Sequence, residues 1–400
     1  MNWVDIVLLV LVAIASIHGL RLGAAIQVLS FGGFWLGLFI GALTVPSLVG
    51  LVHTTASKTV IAAVVIFGMA GILGGVGRYL GLHSNVALRR IHLGPVDSAA
   101  GAVVAVFATF VAVWLVAGVL TNSRFTSLNS AVANSHILRA ADKLLPAPPT
   151  IFSRIGSFLA SEGFPVVFAG LPPQVAPPVA SPSESAIAPA VAVDAPSTVK
   201  IEGSGCGVIQ EGSGFVVASG LVVTNAHVVA GISRPFVIDQ YGDHPATAAL
   251  YDPQLDIAVL RVPGLRDPPA SLLGGSAFVG RGSAAAVLGY PEGGPFKAVP
   301  AGVADAFKAT GLDIYGNAEV TREVYELDAV LQPGNSGGPL IASGDAADGI
   351  RDGTVIGVVF ARSTTDTAVG YALALPAVNQ DIAIAESSDS TVTTGACAAG

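Results

Sequence analysis

The sequence predicts two parts of different class: a bundle of four transmembrane helices, then an all-β domain of two antiparallel barrels. Three observations predict this. Four apolar runs of 17 to 22 residues crowd into the first 120 of 400 residues. Beyond Val199 the pattern changes to short β-branched runs broken by Gly, Pro and Asp. In that second part a histidine, an aspartate and a glycine-flanked serine follow in the order His227, Asp256, Ser336.

Val4–Leu20, Leu22–Leu43, Val60–Gly77 and Ala99–Leu120 each have about the length that crosses a hydrocarbon core. The whole chain is 52% hydrophobic and 12% charged, against about 25% charged in an average soluble domain. A cleaved signal peptide is the alternative for the first run. It lacks a basic start and a clear small-x-small cleavage site, and three further spans follow. Glycines four apart, at Gly33, Gly37 and Gly41 and again at Gly71 and Gly75, predict close helix packing in lipid.

Basic residues in the loops set the expected orientation. Arg21 lies between spans one and two, and Arg78, Arg89 and Arg90 lie between three and four. Those loops are expected in the cytoplasm, which leaves both chain ends outside. Lys58 alone occupies the loop between spans two and three, and Arg124 after the last span counts against this orientation.

Residues 121–164 alternate apolar and polar side chains at helical spacing, as in Ile137-Leu138-Arg139-Ala140-Ala141-Asp142-Lys143-Leu144-Leu145. Amphipathic helices on the outer leaflet or against the bundle are expected. Residues 165–198 are rich in Pro, Ala, Val and Ser. They read as an extended linker without a core, reaching at most roughly 100 Å. Residues 199–400 form the extracytoplasmic domain.

In that domain, Gln332-Pro333-Gly334-Asn335-Ser336-Gly337-Gly338-Pro339-Leu340 supplies what a reactive serine needs. Flanking glycines allow a sharp turn that exposes one hydroxyl and aims neighbouring N–H groups at one point. An ordinary Gly/Ser/Asn turn is the bland alternative. Upstream, Thr224-Asn225-Ala226-His227-Val228-Val229 places a histidine after the strand-like Leu221–Thr224. Asp256 heads the run Ile257-Ala258-Val259-Leu260. The order His, Asp, Ser is that of two-barrel proteases rather than of subtilisins or α/β-hydrolases. His227 is the expected general base, Asp256 its orienting acid and Ser336 the nucleophile. The N–H groups of Gly334 and Ser336 are the expected oxyanion hole. Asp252 is the rival acid, disfavoured because it precedes Pro253, which favours a turn. An esterase is disfavoured because its triad runs in the chain order Ser, Asp/Glu, His, which this sequence does not follow.

These residues, with Gly212-Ser213-Gly214-Phe215-Val216, Leu288-Gly289-Tyr290-Pro291 and Gly357-Val358-Val359-Phe360-Ala361, resemble trypsin-like serine proteases of the bacterial HtrA type. The resemblance covers roughly Val199 to Asp381. It implies a chymotrypsin-like double β-barrel and a serine endopeptidase activity. It also implies a specificity pocket with Val330 at its base and Val358 and Val359 in one wall, favouring uncharged, medium-sized side chains. A PDZ module, usual after HtrA proteases, has no room after Asp381. The start, Asn2-Trp3-Val4-Asp5-Ile6-Val7 with Gly19-Leu20-Arg21-Leu22-Gly23, resembles the colicin V production (CvpA) membrane family. The combination is similar to the membrane-anchored MarP-type serine proteases of mycobacteria and related actinobacteria. That implies an external protease of envelope integrity and acid tolerance.

Cys206 and Cys397 both fall in the external domain, where one disulfide is expected and two free thiols are the alternative. No metal or cofactor is expected, because two cysteines and two histidines lack structural-zinc spacing. From Val199 onward 10 basic and 21 acidic residues give a net charge of −11. That argues against nucleic acid as a partner and against docking on anionic lipid. The expected partners are the lipid bilayer, through the spans, and protein substrates of the cell envelope. A membrane scaffold or solute channel carrying a non-catalytic protease-like domain is the alternative function.

Overall fold

The computed structural model describes residues 2–49, 55–120, 126–144, 168, 175–275, 278–344 and 350–398. It divides into two compact units, Met1–Trp114 and Leu115–Gly400.

The first unit holds helices α1 (Trp3–Leu22), α2 (Ala24–Val49), α3 (Thr55–Arg90) and most of α4 (Gly94–Leu120). Segments of three of them, Trp3–Leu22, Ala24–Gly41 and Gly94–Trp114, are long and apolar enough to cross a membrane. The expected span Val60–Gly77 lies on α3. The side chains before Val64 are outside the described residues.

Helices α2 and α3 pack closely, and glycine is the reason. A side chain at Gly33 would strike the Leu73 carbonyl, and one at Gly37 the Met69 carbonyl. The expected partners Gly71 and Gly75 face open space instead. On α3 the close approach is made at Gly77 against Leu29 and at Gly81 against Ile26. The glycine spacing was legible, but the face of α3 that meets α2 was not. Asp97 at the start of α4 accepts the Ala25 N–H at 2.9 Å and so caps α2. Asn85 donates to its other oxygen at 2.8 Å.

The second unit begins with α5 (Thr126–Ala133) and α6 (His136–Leu144). Asn129 is buried and donates to the Thr364 carbonyl at 2.8 Å. This short helical pair therefore touches the β domain. The rest of the expected amphipathic segment, 145–164, is outside the described residues.

Two antiparallel sheets form the β domain. The first holds β1 (Thr198–Gly205), β2 (Val208–Ala218), β3 (Leu221–Thr224), β4 (Phe236–Asp239), β5 (Gly242–Pro245), β6 (Thr247–Asp252) and β7 (Ile257–Arg261). Its order is β5-β4-β1-β2-β3-β7-β6. The second holds β8 (Ala284–Gly289), β9 (Lys297–Leu312), β10 (Glu319–Asp328), β11 (Pro339–Ala342), β12 (Val355–Arg362) and β13 (Val369–Ala374). It closes as β10-β13-β12-β11-β8-β9. Two barrels were expected, and one closes fully. The first sheet ends on β5, where Pro245 has no N–H to offer, and on β6, whose edge is bridged at Ala248 by Val392. β-branched and aliphatic residues that alternate along the strands fill both interiors, among them Ile201, Val216, Val222 and Leu260 in one and Val287, Val303 and Leu327 in the other.

The stretch expected to be a free linker departs from that expectation. From Val175 onward it lies along the closed barrel. The Ala176 N–H donates to Glu326 Oε1 at 2.7 Å, Arg281 Nη2 donates to the Pro177 carbonyl at 2.6 Å, and Ser181 Oγ donates to the Asp328 carbonyl at 3.1 Å. Helix α7 (Glu184–Asp194), capped by Ser183, then buries Ile187 and Ala190 in the core. Low charge, which suggested an unfolded linker, equally suits a strap that lays apolar side chains on a barrel. Short helix α8 (Ala226–Val229) follows β3, and α9 (Leu375–Ser387) follows β13. The chain then runs back across the first sheet. The Gly231 N–H donates to the Thr394 carbonyl at 3.1 Å, and Cys397 is bonded to Cys206.

Candidate active site

His227 stands on α8, immediately after β3. Buried Asn225 precedes it in extended conformation and starts the helical turn. Asp256 closes the turn between β6 and β7 with a φ of 65°. Few residues other than glycine adopt that conformation, and aspartate tolerates it better than most. Three bonds hold it. Asn225 Nδ2 donates to the Asp256 carbonyl at 2.8 Å. The His227 main-chain N–H donates to Asp256 Oδ1 at 2.9 Å. His227 Nδ1 lies 2.7 Å from Asp256 Oδ2. Asp256 is wholly buried, so this pair is shielded from water.

Asp252, the rival acid, does something else. Its Oδ1 accepts the N–H groups of Gln254 and Leu255 at 2.7 and 3.0 Å, forming the turn that delivers Asp256. Arg322 on β10 supports the same turn from the other barrel. Its guanidinium donates to the Gln254 carbonyl through Nε at 2.8 Å, and through Nη2 to Gln254 and Leu312. Burial pulls this guanidinium below its ordinary value, and the Asp256, Asp252 and Asp313 carboxylates oppose that.

Ser336 lies in the loop before β11 and is almost fully buried. Its carbonyl accepts the Ser213 N–H at 2.8 Å. Gly337, at φ 82°, packs against Ser213, Thr224 and Asn225, where a side chain would not fit. This contact brings the serine loop to the end of β3 that carries the histidine. His227 Nε2 is buried and has no hydrogen-bond partner among the described residues, so the link to Ser336 Oγ is not made here. Among the described residues no hydrogen bond occupies the N–H of Gly334 or of Ser336. The neighbouring peptides are tied down: Asn335 N–H to Gln332 O at 3.0 Å, Gly337 N–H to Val359 O at 2.8 Å and Gly338 N–H to Asn335 O at 3.0 Å. The site therefore offers a shielded imidazole–carboxylate pair, a nearby hydroxyl and two unengaged main-chain donors. Such a set suits acyl transfer.

The three expected pocket residues do not come together. Val330 is 60% exposed, while Val358 and Val359 are fully buried in two different cores. Leu331, not Val330, is the inward residue on the segment before the loop, and it packs against Gly370. Val330 is thus exposed and Leu331 lies in the core, an alternation that an irregular segment does not announce in sequence. Asn225, Ser213 and Arg322 were not singled out either. Asn225, two residues before His227, and Ser213, within Gly212-Ser213-Gly214, carried local signals; Arg322 carried none. Among the described residues no group of three or more His, Cys, Asp or Glu is placed to hold a metal.

Comparison with known proteins agrees with this geometry. Residues 212–358 match the trypsin-like peptidase domain family, and residues 4–146 match the colicin V production protein family. The chain is 36% identical to serine protease Rv3671c of Mycobacterium tuberculosis over 404 residues, 99% of this chain and 98% of that one. It is 36% identical over 170 residues to the mitochondrial serine protease HTRA2 of Bos taurus, 42% of this chain and 34% of that one. The crystal structure of the M. tuberculosis Rv3671c protease in its active form superposes with a TM-score of 0.52 at 39% identity, covering 57% of this chain and 96% of that one. The chain therefore belongs to the family of the mycobacterial serine protease Rv3671c (MarP), a trypsin-like serine protease joined to a colicin V production-type membrane region.

Proposed function

We propose that this protein is a membrane-anchored endopeptidase that hydrolyses peptide bonds of proteins outside the cytoplasmic membrane, with Ser336, His227 and Asp256 as its triad. The observation that carries the reading is the two-point grip of Asp256 on His227. It fixes the Nδ1–H tautomer and leaves Nε2 as the free base. Ser336 Oγ attacks the peptide carbonyl carbon while His227 Nε2 takes its proton. The oxyanion so formed accepts hydrogen bonds from the N–H groups of Gly334 and Ser336. Asp256 stabilises the imidazolium. His227 then gives the proton to the leaving amine nitrogen, the C–N bond breaks, and an acyl ester remains on Ser336. Water repeats the sequence with His227 as base, releasing the acid and restoring the hydroxyl.

Four spans within residues 1–120 as anchor, with the protease outside the membrane, fit the arginines at 21, 78, 89 and 90. The disulfide supports an oxidising compartment. The strap from Val175 belongs to the protease, which shortens the free tether and keeps the enzyme near the membrane. The natural substrates are then envelope proteins close to the bilayer. Work in acid or envelope stress follows from the MarP-type resemblance. Equal low-pH survival of wild-type and Ser336→Ala cells would remove that part.

An uncharged primary pocket beside the serine loop, taking medium-sized apolar side chains, follows from the resemblance to trypsin-like proteases, with no acid at position 330. The deciding experiment for the whole reading is labelling with a fluorophosphonate probe. The wild-type chain should label, and Ser336→Ala and His227→Ala should not. A chain that fails to label, or a Ser336→Ala chain that still labels, ends the triad assignment.

A further inference from the structure

The geometry points to Ser213 as the residue that positions the oxyanion hole. Ser213 lies on β2, 121 residues before Gly334 in the chain, and is fully buried. Four of its bonds converge on the catalytic loop and its support. Its hydroxyl donates to the Gly334 carbonyl at 2.6 Å. The same oxygen accepts the Tyr290 N–H at 2.8 Å. Its main-chain N–H donates to the Ser336 carbonyl at 2.8 Å. Its own carbonyl accepts Thr224 Oγ1 at 2.7 Å, at the strand end that leads to His227.

The consequence lies in peptide orientation. The Gly334 N–H belongs to the Pro333–Gly334 peptide, and its direction is free only if the flanking carbonyls are free. Both are held. The Pro333 carbonyl accepts the Glu292 N–H at 2.6 Å, and the Gly334 carbonyl accepts the Ser213 hydroxyl. Glu292 sits at φ 55° in the turn Pro291–Gly293, a conformation that needs external support. Ser213 supplies some of it through Tyr290, at the base of that turn. One hydroxyl thus acts on both carbonyls, directly on one and through the turn on the other. Gly334 itself, at φ 91°, has no side chain to fix its conformation and lies close against the backbone of Tyr290 and Glu292, so this contact and the hydrogen bonds decide where its N–H points.

Removing the hydroxyl leaves the Gly334 carbonyl and the Tyr290 N–H buried without partners and lets the Pro333–Gly334 peptide turn. Loss of a single oxyanion donor lowers turnover by about 10²–10³-fold in serine proteases. A donor that is misdirected rather than deleted should lose less. Ser213 touches neither substrate nor reacting atoms, so it is a positioning residue. The inference rests on Ser336 and Gly334 having the roles proposed above.

The test uses the full chain in detergent and a fluorophosphonate probe, whose adduct places a phosphoryl oxygen in the hole. Ser213→Ala should lower the limiting labelling rate by about 10–100-fold and leave the probe's half-saturating concentration within about twofold. The phosphorus-31 resonance of the adduct should move, because the hydrogen bonds to its oxygen change. Gly289→Ala gives a second route: its new methyl would press on Ser213 Oγ from 2.5 Å and displace the intact hydroxyl. It should act in the same direction, and it carries the test if Ser213→Ala does not fold. A folded Ser213→Ala chain with a wild-type labelling rate and resonance overturns the inference. So does a slower rate with a parallel rise in half-saturation and an unmoved resonance, which is general loosening. Ser336→Ala separates the two levels. If it still labels, the catalytic assignment has failed; if it is silent while Ser213→Ala is normal, only the role of Ser213 has failed.

Discussion

Asp256 holds His227 at two points, the main-chain N–H through Oδ1 at 2.9 Å and ring Nδ1 through Oδ2 at 2.7 Å. One carboxylate therefore sets both the position of the short helix and the tautomer of the ring that it presents. Asp256→Asn should lower peptidase turnover by about 10⁴-fold, because the amide stabilises the wrong tautomer. Asp252→Asn should reduce turnover by less than about tenfold, its role being to shape the turn. Steady-state rates of the two folded variants check this. The opposite ranking would make Asp252 the acid.

The disulfide closes a loop of 191 residues, linking the tip of the β1–β2 hairpin to the returning C-terminal tail. The loop-entropy model gives such a link up to about 5 kcal/mol. Cys206→Ser and Cys397→Ser should lower the melting temperature equally, with the double variant no worse than either. Unequal single variants would mean that one thiol has a separate role.

Four carboxyls should make the β domain more stable in mild acid than at neutral pH, one of them Glu326, which burial raises against the Ala176 N–H that it accepts. Burial pushes Asp194 up to about 7. Burial, helped by the neighbouring Asp239 carboxyl, pushes Asp267 up to about 6. Burial, helped by Asp252, pushes Asp381 up to about 6. A folded state that holds protons more tightly than the unfolded chain is favoured at low pH. Its advantage is complete below about pH 4 and is lost as the pH rises towards 7. Asp239 is shifted the other way, since hydrogen bonds from Asp267, Tyr241 and His244 outweigh its burial. Its effect falls below pH 4, outside this window. The melting temperature should therefore rise as pH drops from 7.5 to 5, and Asp194→Asn should flatten that slope. A melting temperature that is constant or falls over that interval refutes the assignment.

Membrane orientation is open to fusion analysis. Alkaline phosphatase fused after Leu120 or at Ser197 should be active, and fused after Arg90 inactive. The reverse pattern would place the protease in the cytosol.

Cleavage preference should follow the absence of an acid at position 330. A peptide library should show cleavage after Leu, Val or Phe, and Val330→Asp, at an exposed position, should shift preference toward basic residues without unfolding the domain. Cleavage after Lys or Arg by the wild-type enzyme would sink the apolar pocket.

Much of the candidate site could be read from the chain because its parts are local. A glycine-flanked serine, a histidine at the end of an apolar strand and an aspartate at the head of another are each visible within about ten residues. Arg322 had no such signal. Its value comes from reaching the turn 252–256 across the two sheets, and the sequence separation from Gln254 is 68.

By itself the sequence determined the apolar helices, the alternating strands and the identity of the groups fit for acyl transfer, since periodicity and residue chemistry express the burial of one face at a time. Tertiary structure alone decided which face of α3 meets α2, that 175–197 lies on a barrel rather than spanning freely, that Leu331 and not Val330 turns inward, and that Ser213 reaches Gly334. Each of these is a contact between segments far apart in the chain. Such contacts are chosen by shape, by the need to pair buried polar groups and by competition among many similar apolar surfaces, and a short window of sequence records none of these.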